Sequence, residues 1–93
     1  MIRVHLPAHL RKQKGQRVLE VDLGPGSTLE DLLLYLADNT DKRFADLAAR
    51  GTSGNAWINN VVLNDRRLEL PRDLPLELSD GDRVYFIHPI AGG

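Results

Sequence analysis

The sequence predicts an α+β fold in which a mixed sheet of four to five strands packs on one main helix. Three patterns support this: alternating apolar and polar residues at the start of the chain, one leucine stripe at residues 29–36, and a second alternating segment at residues 83–88. Alternation with period two is typical of half-buried strands, whereas apolar spacing of i, i+3, i+4 and i+7 is typical of an amphipathic helix. One helix covers only one face of a sheet, so we expect the other face to be open.

The first two strands are expected to form a hairpin. Apolar residues alternate through Met1–Leu6 and again through Arg17–Leu23, which favours strands that bury one face. Pro7 ends the first strand, because proline has no N–H to donate to a neighbouring strand. A polar turn through Gly15 joins the two strands.

The main helix is expected at residues 28–39, with Ser27 as its N-cap. Ser27 and Glu30 have the spacing of a capping box, in which each side chain accepts a hydrogen bond from a backbone N–H at the helix start. The apolar stripe of this helix consists of Leu29, Leu32, Leu33 and Leu36.

The second half of the chain predicts shorter elements. They are a short helix at Asp41–Arg50, strands at Ala56–Leu63, Arg67–Leu70 and Arg83–His88, and turns at Asn64-Asp65 and Asp80-Gly81-Asp82. The short helix would present Phe44, Leu47 and Ala48 to the core, and Asn59-Asn60 indicates a bulge. In the last strand, Val84 and Phe86 are expected in the core, beneath the leucine stripe.

The order of these elements predicts the β-grasp, or ubiquitin-like, arrangement. A right-handed crossover through the helix would place the last strand beside the first, at the centre of the sheet. We expect residues 1–93 to form a single β-grasp domain, with residues 89–93 as a flexible C-terminal tail. Two terminal glycines would make that tail slim, because glycine has no Cβ.

Composition excludes several classes of function. The 93 residues carry a formal net charge of −1, which argues against nucleic acid as a partner, and no apolar run is long enough to span a membrane. An apolar signal segment is also missing, so we expect a cytoplasmic protein. The chain has no cysteine, and His5 and His9 are separated by Pro7, so no metal site is predicted.

Several segments resemble the ThiS/MoaD family of sulfur-carrier proteins. The similar segments are Leu6-Pro7-Ala8-His9-Leu10-Arg11 with Gly15, Leu78-Ser79-Asp80-Gly81-Asp82-Arg83-Val84-Tyr85-Phe86, and the tail Pro89-Ile90-Ala91-Gly92-Gly93. Within the family, the tail and Asn60-Val61-Val62-Leu63-Asn64-Asp65 look most like the CysO type, which serves cysteine synthesis. The tail of MoaD, which serves molybdopterin synthesis, is similar.

The resemblance implies a protein cosubstrate rather than an enzyme. A ThiF/MoeB-like adenylating enzyme would use ATP to activate the carboxyl of Gly93, and a sulfur donor would convert it to a thiocarboxylate. An accepting synthase would then take the sulfur: cysteine synthase, the large subunit of molybdopterin synthase, or thiazole synthase. The carrier itself would hold no cofactor and no catalytic residue.

The open sheet face is a candidate docking surface for the adenylating enzyme. Tyr85 and Ile87, with Val62, are expected there, and an exposed apolar group often marks an interface. The alternative is that these are scattered surface residues without a role.

Other functions stay open at this point. The same Gly92-Gly93 end could be conjugated to lysines of target proteins, which would make the chain a ubiquitin-like modifier. The domain could instead bind a partner non-covalently, with the diglycine as an ordinary frayed terminus.

Overall fold

A computed structural model describes residues 1–6, 18–50 and 60–87. The predicted tail at residues 89–93, the N-terminal turn and the start of the strand predicted at Ala56 lie outside the described residues. The elements, in chain order, are β1 (Ile2–His5), β2 (Val18–Val21), α1 (Leu29–Asn39), α2 (Phe44–Arg50), β3 (Asn60–Leu63), β4 (Arg66–Leu68) and β5 (Arg83–Ile87).

The five strands form one mixed sheet with the order β2-β1-β5-β3-β4. β5, the last strand, is central: it pairs in parallel with β1 and antiparallel with β3. The other two pairs, β1 with β2 and β3 with β4, are antiparallel. This is the β-grasp arrangement, and the predicted place of the last strand beside the first is confirmed.

The N-terminal hairpin follows its apolar alternation. Ile2 lies opposite Val21 and Val4 lies opposite Leu19, so the apolar residues of β1 and β2 share one face of the sheet. Ile2, Val4 and Val21 are buried, whereas Leu19 is half-buried near the sheet edge. The strands are shorter than predicted, but the face that each buries is the predicted one.

The N-cap of α1 is Thr28, so the predicted cap at Ser27 is wrong by one residue. The Thr28 hydroxyl accepts from the backbone N–H of Asp31 at 3.3 Å, and the Asp31 carboxylate accepts from the N–H of Thr28 at 2.9 Å. Ser27 instead donates its hydroxyl to the carbonyl of Leu23 at 2.8 Å. The capping box is therefore Thr28 with Asp31, and Glu30 is exposed.

The hydrophobic core lies between the two helices and the inner face of the sheet. All four predicted stripe residues of α1 are fully buried: Leu29, Leu32, Leu33 and Leu36. Phe44 of α2 meets Phe86 of β5 edge to face, with ring centroids 5.1 Å apart. Burying one such large apolar side chain contributes about 1.5–3 kcal/mol, so these contacts account for much of the stability of the fold.

The segment between β4 and β5 provides hydrogen-bond acceptors for the first N–H groups of α1. The first two N–H groups of the helix, from Leu29 and Glu30, donate to the carbonyls of Leu76 and Leu74 at 2.9 and 3.0 Å. Leu78 in turn donates its N–H to the carbonyl of Ser27 at 2.8 Å. The N–H groups of Leu29 and Glu30 would otherwise need water or a ligand as an acceptor. The hydrogen-bonding capacity of these two donors is therefore satisfied by the chain itself.

Asp73 organises the same segment. This residue is only 8% exposed, and its carboxylate accepts from the N–H of Glu69 at 2.7 Å and from the guanidinium of Arg72 at 3.1 Å. The hydrogen bond from Glu69, followed by that from Arg72, holds the pKa of Asp73 below its usual value. β4 ends at Leu68, because the N–H of the next residue, Glu69, is bonded to Asp73. The strand predicted from the sequence ran from Arg67 to Leu70.

Candidate partner-docking site

The functional prediction concerns the segment that follows β5. Gly93, Gly92, Ala91, Ile90 and Pro89 lie outside the described residues, so their predicted role stays a prediction. β5 ends at Ile87, only six positions before the end of the sequence. The part of the site that the structure describes is therefore the sheet surface from which that segment departs.

The surface turned away from the helices is called the open face. Its residues are Arg3, His5, Val18, Glu20, Val62, Arg67, Arg83, Tyr85 and Ile87, which share one side of the sheet by strand register.

One row of the open face crosses all five strands. Val18 of β2 lies opposite His5 of β1, and His5 lies opposite Tyr85 of β5. Tyr85 lies opposite Val62 of β3, and Val62 lies opposite Arg67 of β4. Two of the three predicted docking residues, Tyr85 and Val62, are thus direct cross-strand neighbours.

The third predicted docking residue is the most exposed of the set. Ile87 is 45% exposed and lies two positions beyond Tyr85 on the same strand, opposite the backbone of Asn60. Val18, at 39% exposed, adds a fourth apolar side chain near the far edge of the sheet. Sequence reasoning did not include Val18, although its parity with Glu20 on β2 was the available signal.

The ring of Tyr85 is half-buried, because His5 covers part of it. The two rings are stacked with centroids 4.2 Å apart and planes inclined by 17°. The sequence placed His5 with Arg3 on one face of the first strand and excluded it as a metal ligand, but it did not predict this contact. The stack gives the middle of the open face a flat aromatic surface with polar edges.

A charged row lies beside the aromatic one. Arg3 of β1 lies between Glu20 of β2 and Arg83 of β5. Together with His5, Val18 and Tyr85, these side chains line a shallow depression of about 330 Å³ on the open face.

The start of β5 is fastened tightly to its neighbours. Asn64, in the left-handed conformation with φ 56°, accepts from the N–H of Arg83 at 3.0 Å and donates its side-chain amide to Asp82 at 3.2 Å. The other carboxylate oxygen of Asp82 accepts from the N–H of Ser79 at 2.7 Å. Gly81 has φ 90°, a backbone conformation that favours glycine. The predicted Asp80-Gly81-Asp82 turn is therefore confirmed, and its role is to hold β5 in place.

Outside the open face, the described residues offer few candidate binding or catalytic sites. Within residues 1–6, 18–50 and 60–87, no group of three His, Cys, Asp or Glu side chains could hold a metal ion. A second depression, of about 420 Å³, lies at the opposite end of the sheet from Ile87, over Ile2, Val21 and Leu78. Neither described helix is long and apolar enough to cross a membrane.

Comparison with known proteins gives a consistent result. The model of the ThiS family matches residues 4–93. An uncharacterized protein of Archaeoglobus fulgidus is 30% identical over 77 residues, which cover 83% of this chain and 78% of that protein. The crystal structure of SAMP1 from Haloferax volcanii superimposes with a TM-score of 0.65 and 24% identity, over 99% of this chain and 98% of the other. The structural match supports the fold.

Proposed function

Because the chain belongs to the ThiS family, we propose that it is a sulfur carrier whose C-terminal Gly93 is activated and loaded by partner enzymes. At the general level, family membership supports a ubiquitin-like carrier or modifier, and small carriers of this type are generally not enzymes themselves. The proposal adds the chemical form of the loaded end, the partners and the pathway.

The proposed cycle begins at the carboxylate of Gly93, which is a poor electrophile until it is activated. A ThiF/MoeB-like adenylating enzyme joins it to AMP from ATP and releases pyrophosphate. Sulfide then attacks the acyl carbon, AMP leaves, and the product is a thiocarboxylate. A persulfide of a sulfurtransferase is an alternative donor: its outer sulfur displaces AMP to form an acyl disulfide, and a second thiol then reduces this disulfide and releases the thiocarboxylate. The ATP and the sulfur donor are used by the partner, and the carrier provides only its terminus. We place this cycle in the cytoplasm.

One structural relationship carries the proposal: the strand of the open face that bears Tyr85 and Ile87 runs directly into residues 88–93. A partner that covers the end of this strand also lies where the terminal segment departs. Tyr85, Ile87 and Val62 therefore form the proposed docking patch for the adenylating enzyme. Tyr85 and Val62 are cross-strand partners, and Ile87 lies two positions beyond Tyr85 on the same strand, which supports a contiguous surface.

The proposed sulfur acceptor is a synthase, and cysteine synthase is the leading candidate. This preference depends on the resemblance of Asn60–Asp65 and Pro89–Gly93 to the CysO type. Molybdopterin synthase and thiazole synthase are the alternatives. Reconstitution with each of the three synthases identifies the acceptor as the one that consumes the thiocarboxylate.

Intact-mass spectrometry tests the loading step. The chain is incubated with the ThiF/MoeB-like enzyme of the same genome, ATP and sulfide, with a parallel reaction that omits ATP. We expect a mass increase equal to the replacement of one oxygen by sulfur, located in the C-terminal peptide and absent without ATP. If the same enzyme preparation activates another carrier protein but leaves the mass of this chain unchanged, the proposal is contradicted.

The modifier function uses the same activated carboxyl and is distinguished by its products. Immunoblots of cell lysates would show a ladder of high-mass adducts if the carboxyl is transferred to lysines of target proteins. A single small species supports the carrier.

A further inference from the structure

The open face carries three arginines whose charges are not neutralised within the described part of the chain. Arg3, Arg67 and Arg83 are exposed, and none of them forms an ion pair with a described residue. By contrast, Arg72 forms ion pairs with Asp73 and Glu69, at 3.1 and 3.3 Å.

Two of these arginines lie directly opposite each other. Arg3 and Arg83 are register partners in the parallel pair of β1 and β5. Like charges directly opposite on neighbouring strands destabilise a sheet. Glu20 lies on the other side of Arg3 but forms no ion pair with it within 4.0 Å. The arrangement costs stability in the free protein, and a carboxylate supplied from outside would relieve it.

Charge is distributed unequally over the molecule. All thirteen acidic residues of the sequence lie in the described ranges, and Glu20 is the single one on the open face. The remaining described surfaces carry twelve acidic and five basic side chains. The near-neutral total charge thus combines a positive open face, strongly negative remaining described surfaces, and four basic residues, Arg11, Lys12, Lys14 and Arg17, that lie outside the described residues.

We propose that the open face docks on a protein surface with an apolar centre and an acidic rim, and that Arg3, Arg67 and Arg83 set the rate and orientation of that encounter. This inference deepens the proposed function, because it specifies the chemistry of the surface on the adenylating enzyme. Val62, Tyr85 and Ile87 fill the apolar centre, Val18 adds an apolar side chain near the edge of the sheet, and the arginines meet carboxylates around the centre. Complementary charges of this kind raise association rates and fix orientation.

A protein surface fits these observations better than a nucleic acid. Among the described residues, three arginines lie on this face, and Glu20 lies among them. A polyanion that extends onto the other described surfaces would meet their excess of acidic side chains. The apolar side chains Val18 and Ile87 would also remain uncovered by phosphates.

The experiment compares two double variants with equal changes in net charge. Arg67→Glu with Arg83→Glu reverses charge on the open face, and Arg83→Glu places a carboxylate opposite Arg3, which favours the fold. The control, Lys42→Glu with Arg50→Glu, changes two exposed residues near α2, which belongs to the other layer. Association and dissociation rates with the ThiF/MoeB-like enzyme of the same genome are measured by biolayer interferometry, with thermal unfolding as the check on folding.

The open-face variant is expected to associate about tenfold or more slowly at about 50 mM salt, with a smaller change in dissociation. This difference should narrow at about 500 mM salt, and the control should behave like the wild type at both. Equal rates for the open-face variant and the wild type, or equal slowing of both variants, would overturn the inference.

Two further outcomes separate this inference from the proposed function. Charge-dependent binding without ATP–pyrophosphate exchange contradicts the carrier cycle and still supports the docking surface. Absence of any binding by the wild-type chain overturns the docking inference for this partner. Tight binding of a single-stranded RNA probe that is lost in the open-face variant would also overturn it, in favour of a nucleic-acid surface.

Discussion

The imidazole of His5 stacks on the ring of Tyr85 at the centre of the open face, with centroids 4.2 Å apart. These residues are register partners on the parallel strands β1 and β5. The contact links the first strand of the chain to the strand that leads into the terminal segment. It fixes the orientation of the aromatic surface that a partner would meet.

The energy of this stack can be measured with a double-mutant cycle. His5→Ala, Tyr85→Ala and the double variant should give a coupling energy of about 0.5–1.5 kcal/mol, the range for aromatic pairs. Urea unfolding provides the free energies. A coupling energy of zero would show that the two rings contribute independently.

Ile87→Asp should weaken binding to the adenylating enzyme by about tenfold or more, because it places a charge in the apolar centre of the docking patch. Leu34→Asp is the matched control: Leu34 is 47% exposed on α1, close to the 45% of Ile87. Both variants should change the free energy of unfolding by less than about 1 kcal/mol. Titration calorimetry measures the affinity, and equal affinities for the two variants would disprove the role of the patch.

Appending a single alanine after Gly93 should abolish ATP–pyrophosphate exchange, because the adenylating enzyme is proposed to recognise a slim diglycine carboxylate. Thermal unfolding should be unchanged, since the addition lies beyond the last strand. An extended chain that still supports normal exchange would remove the terminus from the mechanism.

Thr28→Ala should destabilise the protein by about 1 kcal/mol, because it removes the N-cap of α1. Glu30→Gln should cost less than about 0.5 kcal/mol, since that side chain is exposed and the capping carboxylate belongs to Asp31. Chemical denaturation of the two variants distinguishes the observed cap from the one predicted by sequence. The reverse order of effects would restore the predicted box.

Asp73 should make the stability depend on pH in the acid range. The pKa of Asp73 in the folded state lies below 3.8, the ordinary value for an aspartate, so its carboxylate stabilises the folded state at neutral pH. That contribution should be lost as pH falls below 3.8 and through the lower folded value. Asp73→Asn should be less stable than the wild type at pH 7, and the gap should shrink in acid. A gap that stays constant with pH would assign the role of Asp73 to hydrogen bonding alone.

The sequence was sufficient for the parts of the fold that depend on periodicity. The leucine stripe of α1, the inward positions of Val84 and Phe86, and the central place of β5 all follow from alternation and connection rules. The cap was misplaced because Ser27 and Thr28 are adjacent and chemically alike. The carbonyl of Leu23 engages Ser27, and only the folded turn brings the two together.

The open face shows a second limit of sequence reasoning. Parity identified Tyr85 and Ile87 as outward-facing, but it could not say which residue lies across the sheet from each. His5 and Tyr85 are 80 positions apart, and only the register of β1 with β5 makes them neighbours. For the same reason, the sequence could not show that Arg3 and Arg83 are cross-strand partners. The positive charge of the open face therefore could not be derived from the net charge of the chain.

The pairing of β1 with β5 also has a consequence for biosynthesis. Until residues 83–87 leave the ribosome, the first strand has a neighbour on one side only, and neither the His5–Tyr85 pair nor the Arg3–Arg83 pair can form. Contacts between positions this distant form late, because a long loop must close first. An adenylating enzyme that must bind this surface before it activates the terminus would therefore act on fully synthesised, folded chains and not on nascent ones.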